Sequence, residues 1–188
     1  KQKTAYEIGV RLVGSEMCIR DSVKAVQVSR QFPNIIKINI VERKPLAIIN
    51  LDEKLMIDND AFVLPDHNYS DNALIPVLSG FNPAKDLYPY GEKTYSIKVK
   101  EAIFILNQLS KSYNKLYNNI SEITLNSDDD YVIILSDRPT RVILGKKDII
   151  TKLNILKTFD KSLGQRQLTD FRLLDMRYNK QLVAREWT

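Results

Sequence analysis

Apolar and polar residues alternate from the first readable stretch onward. Val26 and Val28 fall on one face and Gln27 and Ser29 on the other, so Val23–Arg30 reads as a half-buried strand. Phe32-Pro33-Asn34 is a turn signal. Ile36, Ile38 and Ile40 then alternate with Lys37 and Asn39, which predicts a second strand whose isoleucines bury one face and a hairpin with the first. Pro45 marks a boundary, and Leu46–Asn50 begins a third strand. Lys54–Asp58 and Phe62–Leu64 flank Asn59-Asp60-Ala61 as another hairpin, with Asp58 and Asn59 suited to the turn. Residues 65–96 hold four of the seven prolines, with Asn, Asp and Ser clusters, and read as a loop-rich connection.

At Ile97 the period changes from two to between three and four. Val99, Ala102, Ile103, Leu106, Leu109, Tyr113, Leu116 and Tyr117 form one helical stripe, predicting a helix over Ile97–Tyr117 that covers a sheet. Ile120–Leu125, Tyr131–Ser136 and Thr140–Leu144 are strand-like runs separated by turns. Gly145 leads into a second helix over Lys147–Leu163, with Ile149, Ile150, Leu153, Leu156 and Phe159 inward. Phe171–Tyr178 and Gln181–Arg185 close the chain as two strands. The expected class is α+β, a mainly antiparallel sheet with two helices packed on one face.

Composition narrows the function more than the fold. The chain has 188 residues, 44% apolar and 27% charged, enough for one or two domains with true cores. The net charge is +5, but Lys and Arg are scattered, without the basic block or aromatic–basic interleaving that holds nucleic acid. No stretch reaches the roughly 20 apolar residues that span a bilayer. One cysteine, Cys18, forms no internal disulfide.

Candidate chemistry is sparse. His67 sits in a polar loop with no Cys or His partner, so it makes neither a metal site nor a catalytic pair. Asp128-Asp129-Asp130 lacks the Gly and Glu spacing of a calcium loop and reads as a solvated turn. Asp58 and Asp60 fall in a hairpin turn, where Asp is expected. Gly145-Lys146-Lys147 follows a strand and opens a helix, yet the upstream glycine of a phosphate-binding loop is absent. No nucleophile, base and orienter can be named together. The expectation is a chain with no catalytic residue, cofactor, metal or small-molecule substrate.

Val23–Ala47, reading VKAVQVSRQFPNIIKINIVERKPLA, resembles the closing hairpin of the POTRA module in FtsQ/DivIB cell-division proteins. Leu55-Met56-Ile57-Asp58 followed by Phe62-Val63-Leu64 is similar to a family hairpin, with Ala61 here where glycine is usual. Leu74-Ile75-Pro76-Val77-Leu78-Ser79-Gly80, Val142-Ile143-Leu144-Gly145, and Leu173-Leu174-Asp175-Met176-Arg177-Tyr178 match further family elements in order. The stretch VRLVGSEMCIRDS, by contrast, resembles translated sequencing-adapter sequence. The expected division is therefore 1–22 as a non-native segment with few core contacts, 23–47 as a POTRA hairpin, and 48–188 as an FtsQ-type β-domain.

The resemblance implies a non-enzymatic scaffold of the division machinery that recruits and regulates partners, FtsB and FtsL above all. It also implies a single transmembrane helix that is missing from this chain, with this part in the periplasm at the division site. Partner docking just after the Asp175-Met176-Arg177 strand carries over to Arg177 and Tyr178, then to Asn179, Gln181, Val183 and Trp187. A final strand at the sheet edge would pair with a partner strand. A POTRA-type polypeptide-binding chaperone or translocation component is the alternative.

Overall fold

The computed structural model describes residues 22–64, 75–178 and 181–187. The expected adapter-like segment, apart from Ser22, lies outside these residues, as do His67 and Asn179. The described residues form two sheets. Among them, strands β1 (Val23–Gln31) and β2 (Ile35–Glu42) pair only with each other. A 9-stranded sheet holds β3 (Pro45–Asn50), β4 (Lys54–Asp58), β5 (Val63–Leu64), β6 (Val77–Ser79), β7 (Ile120–Leu125), β8 (Tyr131–Leu135), β9 (Arg141–Gly145), β10 (Phe171–Asp175) and β11 (Val183–Glu186). Its spatial order is β11-β10-β9-β8-β7-β6-β3-β4-β5. Five of the neighbouring pairs are antiparallel and three parallel, as an α+β fold with a mainly antiparallel sheet requires.

Helices α1 (Ile97–Ser112), α2 (Asn114–Tyr117) and α3 (Ile149–Ser162) supply the second layer. The expected single helix over Ile97–Tyr117 breaks at Tyr113, whose φ of −147° leaves helical space. Tyr113 is buried, and its hydroxyl donates to Asp160 Oδ2 at 2.6 Å, tying the break to α3. Ser96 caps α1, its hydroxyl accepting from the Val99 N–H. The core lies under these helices: Ala47, Ile49, Ile57, Leu78, Ile123, Ile133, Val142, Leu144 and Leu174 from the sheet meet Val99, Ala102, Leu106, Leu109 and Leu156. Alternate residues on the other face, among them Ile48, Met56, Val77, Ile134 and Leu173, are only half-buried. Of the inward set expected for α3, Ile150 is exposed, because it lies about 100° round the helix from Ile149, off the buried Leu153–Leu156 stripe.

Glycine is demanded at one crossing. Gly80 has a φ of +73°, and a Cβ there would lie 2.3 Å from the Leu125 carbonyl oxygen. No other residue fits against that backbone. The turn after β4 solves a similar problem without glycine: Ala61 takes a φ of +64° and is nearly buried. Its N–H donates to the Asp58 carbonyl.

The β1–β2 hairpin departs from the sequence expectation in its burial. Its register sets Val26 opposite Ile40 and Val28 opposite Ile38, so the apolar residues do share one face. That face is open: Val26, Val28, Ile36, Ile38 and Ile40 are between 54% and 69% exposed. Alternation predicts which face is apolar, not whether anything covers it. The hairpin meets the larger sheet at its root, where Lys24 Nζ reaches Asp60 Oδ2 at 2.8 Å and Arg43 Nη1 reaches Asp58 Oδ2 at 2.6 Å.

Candidate partner-binding edge

A sheet exposes backbone donors and acceptors at its two outer strands, and the two outer strands here are treated differently. Beside β5 runs the segment Tyr90–Thr94. The Val63 N–H donates to the Glu92 carbonyl, the Gly91 N–H to the Val63 carbonyl, and the Thr94 N–H to the Ala61 carbonyl. Val63 and Leu64 are buried. At the other side β11 is the last strand. It pairs with β10 through Val183–Asp175, Ala184–Leu174 and Arg185–Leu173, and no described strand lies outside it. All four of its residues are exposed.

The approach to this edge is built by β10 and its exit. Thr140 Oγ1 donates to the Phe171 carbonyl at the start of β10, and β10 then runs parallel to β9. The expected strand Phe171–Tyr178 stops at Asp175 because Asp175 turns the chain. Its Oδ1 accepts from the Arg177 backbone N–H at 3.0 Å, while the Arg177 side chain returns along the same carboxylate, Nε at 3.1 Å and Nη2 at 2.7 Å. Met176, between them, points inward and is buried, and its N–H extends the ladder to the Ile143 carbonyl. Tyr178 is thereby left at the surface, 55% exposed.

The electrostatics follow from that geometry. Burial alone would push the Asp175 carboxyl up, but the Arg177 hydrogen bonds and charge, with that of Arg185, outweigh it and hold the carboxyl below its ordinary value. The same bonds make the Arg177 guanidinium harder to deprotonate than usual. A second carboxylate, Asp130 Oδ2, stands 3.5 Å from Arg177 Nη1. Asp130 is buried, so the Asp128–Asp130 turn is not wholly solvated as the sequence suggested. The spacing of residues 130, 175 and 177 gave no signal that they meet.

The remaining sequence-predicted residues gather nearby. Gln181 donates its backbone N–H to the Tyr178 carbonyl, and Val183 opens β11 opposite Asp175. Trp187 lies at the far end of β11, its indole N–H donating to the Thr169 carbonyl at 3.1 Å. A cleft of about 370 Å³ separates α3 from the β10 exit and is lined by Lys152, Ile155, Met176, Arg177, Tyr178 and Gln181. Arg177, Tyr178, Gln181 and Val183 therefore share one end of one edge, with Trp187 at the other. No group of acidic, His or Cys side chains able to hold a metal occurs among the described residues. Nor is any described helix long and apolar enough to cross a membrane.

Comparison with known proteins places the fold. A family model described as "Cell division protein FtsQ/DivIB, C-terminal" matches residues 47–177, well over half of the chain. The chain belongs to the FtsQ/DivIB family. The cell division protein FtsQ of Geotalea daltonii is 24% identical over 184 residues, covering 96% of this chain and 65% of that protein. FtsQ of Syntrophotalea carbinolica is 24% identical over 181 residues, 96% of this chain and 63% of its own length. The DivIB of Macrococcus caseolyticus is 29% identical over 79 residues, 41% of this chain and 26% of the relative. The chain thus spans less than two thirds of the length of these FtsQ and DivIB relatives. The family match ends at Arg177, so the β11 edge of this FtsQ/DivIB chain lies just beyond it.

Proposed function

We propose that this chain is the extracytoplasmic part of a non-enzymatic division scaffold that recruits FtsB and FtsL by accepting a partner strand on β11. The observation that carries this reading is the asymmetry of the nine-stranded sheet: β5 is covered by Tyr90–Thr94, and no described segment covers β11. Strand addition draws affinity from main-chain hydrogen bonds and specificity from the side chains beside them. Tyr178, with its large ring and few rotatable bonds, is the anchor, supported by Arg177, Asn179, Gln181, Val183 and Trp187. The division into a POTRA hairpin over 23–47 and an FtsQ-type β-domain over 48–188 is part of the same proposal. So is a single membrane-spanning helix carried elsewhere in the protein, at the bacterial inner membrane of the division site. The bare apolar face of β1–β2 is then the part of a POTRA module that its remaining elements cover.

The open hairpin also favours a second reading, a POTRA-type polypeptide-binding chaperone whose clients pair along β1 or β2. A titration with the purified periplasmic segment of FtsB separates the two. The scaffold reading predicts saturable binding that Tyr178→Ala weakens about tenfold, since a hot-spot truncation removes more than about 1.4 kcal/mol. Absent binding, or binding indifferent to Tyr178→Ala but lost when Ile38 is replaced by Lys, would support the chaperone instead.

A further inference from the structure

The Arg177 side chain is engaged within the chain. Three of its N–H groups serve Asp175, one from its own backbone, and its remaining terminal nitrogen faces Asp130. Four segments converge around it. Asp130 comes from the β7–β8 turn, where its backbone N–H is held by Asn126 Oδ1 at 2.8 Å. Gly145 ends β9 with a φ of +79°, and a Cβ there would lie 3.4 Å from Arg177 Cγ and 3.1 Å from Lys152 Nζ. Lys152 on α3 donates to the Leu144 carbonyl at 2.6 Å. The aliphatic stem of Arg177 thus rests on the bare backbone of Gly145 between a lysine and two carboxylates.

We infer that Asp130 is a positioning residue for the β11 edge, acting through Arg177 to fix the exit of β10 and the pose of Tyr178. Asp175 alone sets the turn, since its bonds to Arg177 span only two residues and would travel with the exit if it swung. Met176 ties the start of the turn to β9, through its N–H on the Ile143 carbonyl and its buried side chain. Past Met176, the Arg177–Asp130 pair adds a tie to a distant element, because Asp130 sits 47 positions away on the β7–β8 turn, its N–H held by Asn126. Gly145 suits this crossing through its φ of +79°, which L side chains rarely adopt. This inference rests on the edge reading above and names what prepares the edge.

The test uses Asp130→Asn, Asp130→Glu, Arg177→Ala and the Asp130→Asn/Arg177→Ala double variant. Two readouts apply: affinity for the FtsB periplasmic segment, and amide hydrogen exchange of residues 176–187 in the chain alone. Asp130→Asn is expected to weaken binding roughly fivefold and to speed exchange at 176–187, while the exchange of core strands β7 and β8 and the unfolding midpoint stay unchanged. Asp130→Glu, which keeps the charge, restores both. In the double variant the Asp130 effect vanishes, because its route through Arg177 is gone. Additive losses, or exchange at 176–187 that Asp130→Asn leaves untouched, overturn the inference. If the unaltered chain does not bind FtsB, the edge reading falls, and the exchange arm alone decides the positioning claim.

Discussion

Two arginine–aspartate turns stand at opposite ends of the nine-stranded sheet, and they are built for different ends. Strand directions fix their positions: β3 starts beside Asp58, and β6, β7, β9 and β10 all run the same way and finish at the Asp175 end. At the hairpin end, Asp58 is 1% and Arg43 12% exposed in their side chains. Asp58 Oδ1 also accepts the N–H groups of Asp60 and Phe62, and the guanidinium lies 3.6 Å from the centre of the Phe62 ring. At the other end Arg177 forks onto Asp175 through Nε and Nη2, and 41% of its side chain meets solvent while that of Asp175 is 8% exposed. An arginine–aspartate pair thus anchors a hairpin at one end and borders an exposed edge at the other. What differs is the desolvation of the guanidinium: the more deeply buried pair is the costlier to break.

The comparison breaks most readily at Asp58. Replacing Asp58 by Ala removes the buried carboxylate 2.6 Å from Arg43 and uncaps two backbone N–H groups, so urea denaturation should show a loss of about 3 kcal/mol. A loss below about 1 kcal/mol would mean the two turns are equivalent. Arg177→Ala, by contrast, should cost less, about 1 kcal/mol, since the guanidinium it removes is 41% exposed and its loss opens the Asp175 and Asp130 carboxylates to water. Ala61→Gly sharpens the hairpin side. It relieves a left-handed alanine worth about 1 kcal/mol but loosens the unfolded chain, and a net gain of about 0.5 kcal/mol is expected in the same assay.

The smallest effect is that of pH. The folded Asp175 carboxyl lies below its ordinary value of 3.8, so its ionised form stabilises the fold. That contribution is complete above about pH 5 and disappears as the pH falls through the depressed folded value. Asp60, lowered chiefly by its hydrogen bond from Lys24, has the same sign at the hairpin end. Unfolding midpoints measured between about pH 5 and pH 2 should therefore fall less steeply in Asp175→Asn than in the unaltered chain.

Much of the fold was legible because period-2 and period-3.6 patterns report buried faces directly. The strands from Leu46 to Leu64 and from Ile120 to Leu144, and both long helices, stand close to where alternation and stripe placed them. The misses have local causes. The helix break at Tyr113 depends on a hydroxyl reaching Asp160, 47 residues away, which no pattern records. The strand ending at Asp175 rather than Tyr178 depends on a carboxylate gathering Arg177 around itself. Asp58 looked like ordinary turn chemistry and is a buried anchor, because Arg43 arrives from a separate strand exit. Arg177, Tyr178, Gln181 and Val183 are singled out by the family resemblance rather than by any pattern, and they lie together because they are close in sequence. Asp130 was missed because proximity across the sheet leaves no mark on spacing.

The most direct measurement is hydrogen exchange of the chain with and without the FtsB periplasmic segment, compared at the two sheet edges. An added partner strand predicts new protection at Val183–Glu186 and none at Val63–Leu64. Bound FtsB with unchanged exchange at Val183–Glu186, or with protection confined to the β5 edge or the β1–β2 hairpin, would contradict the account.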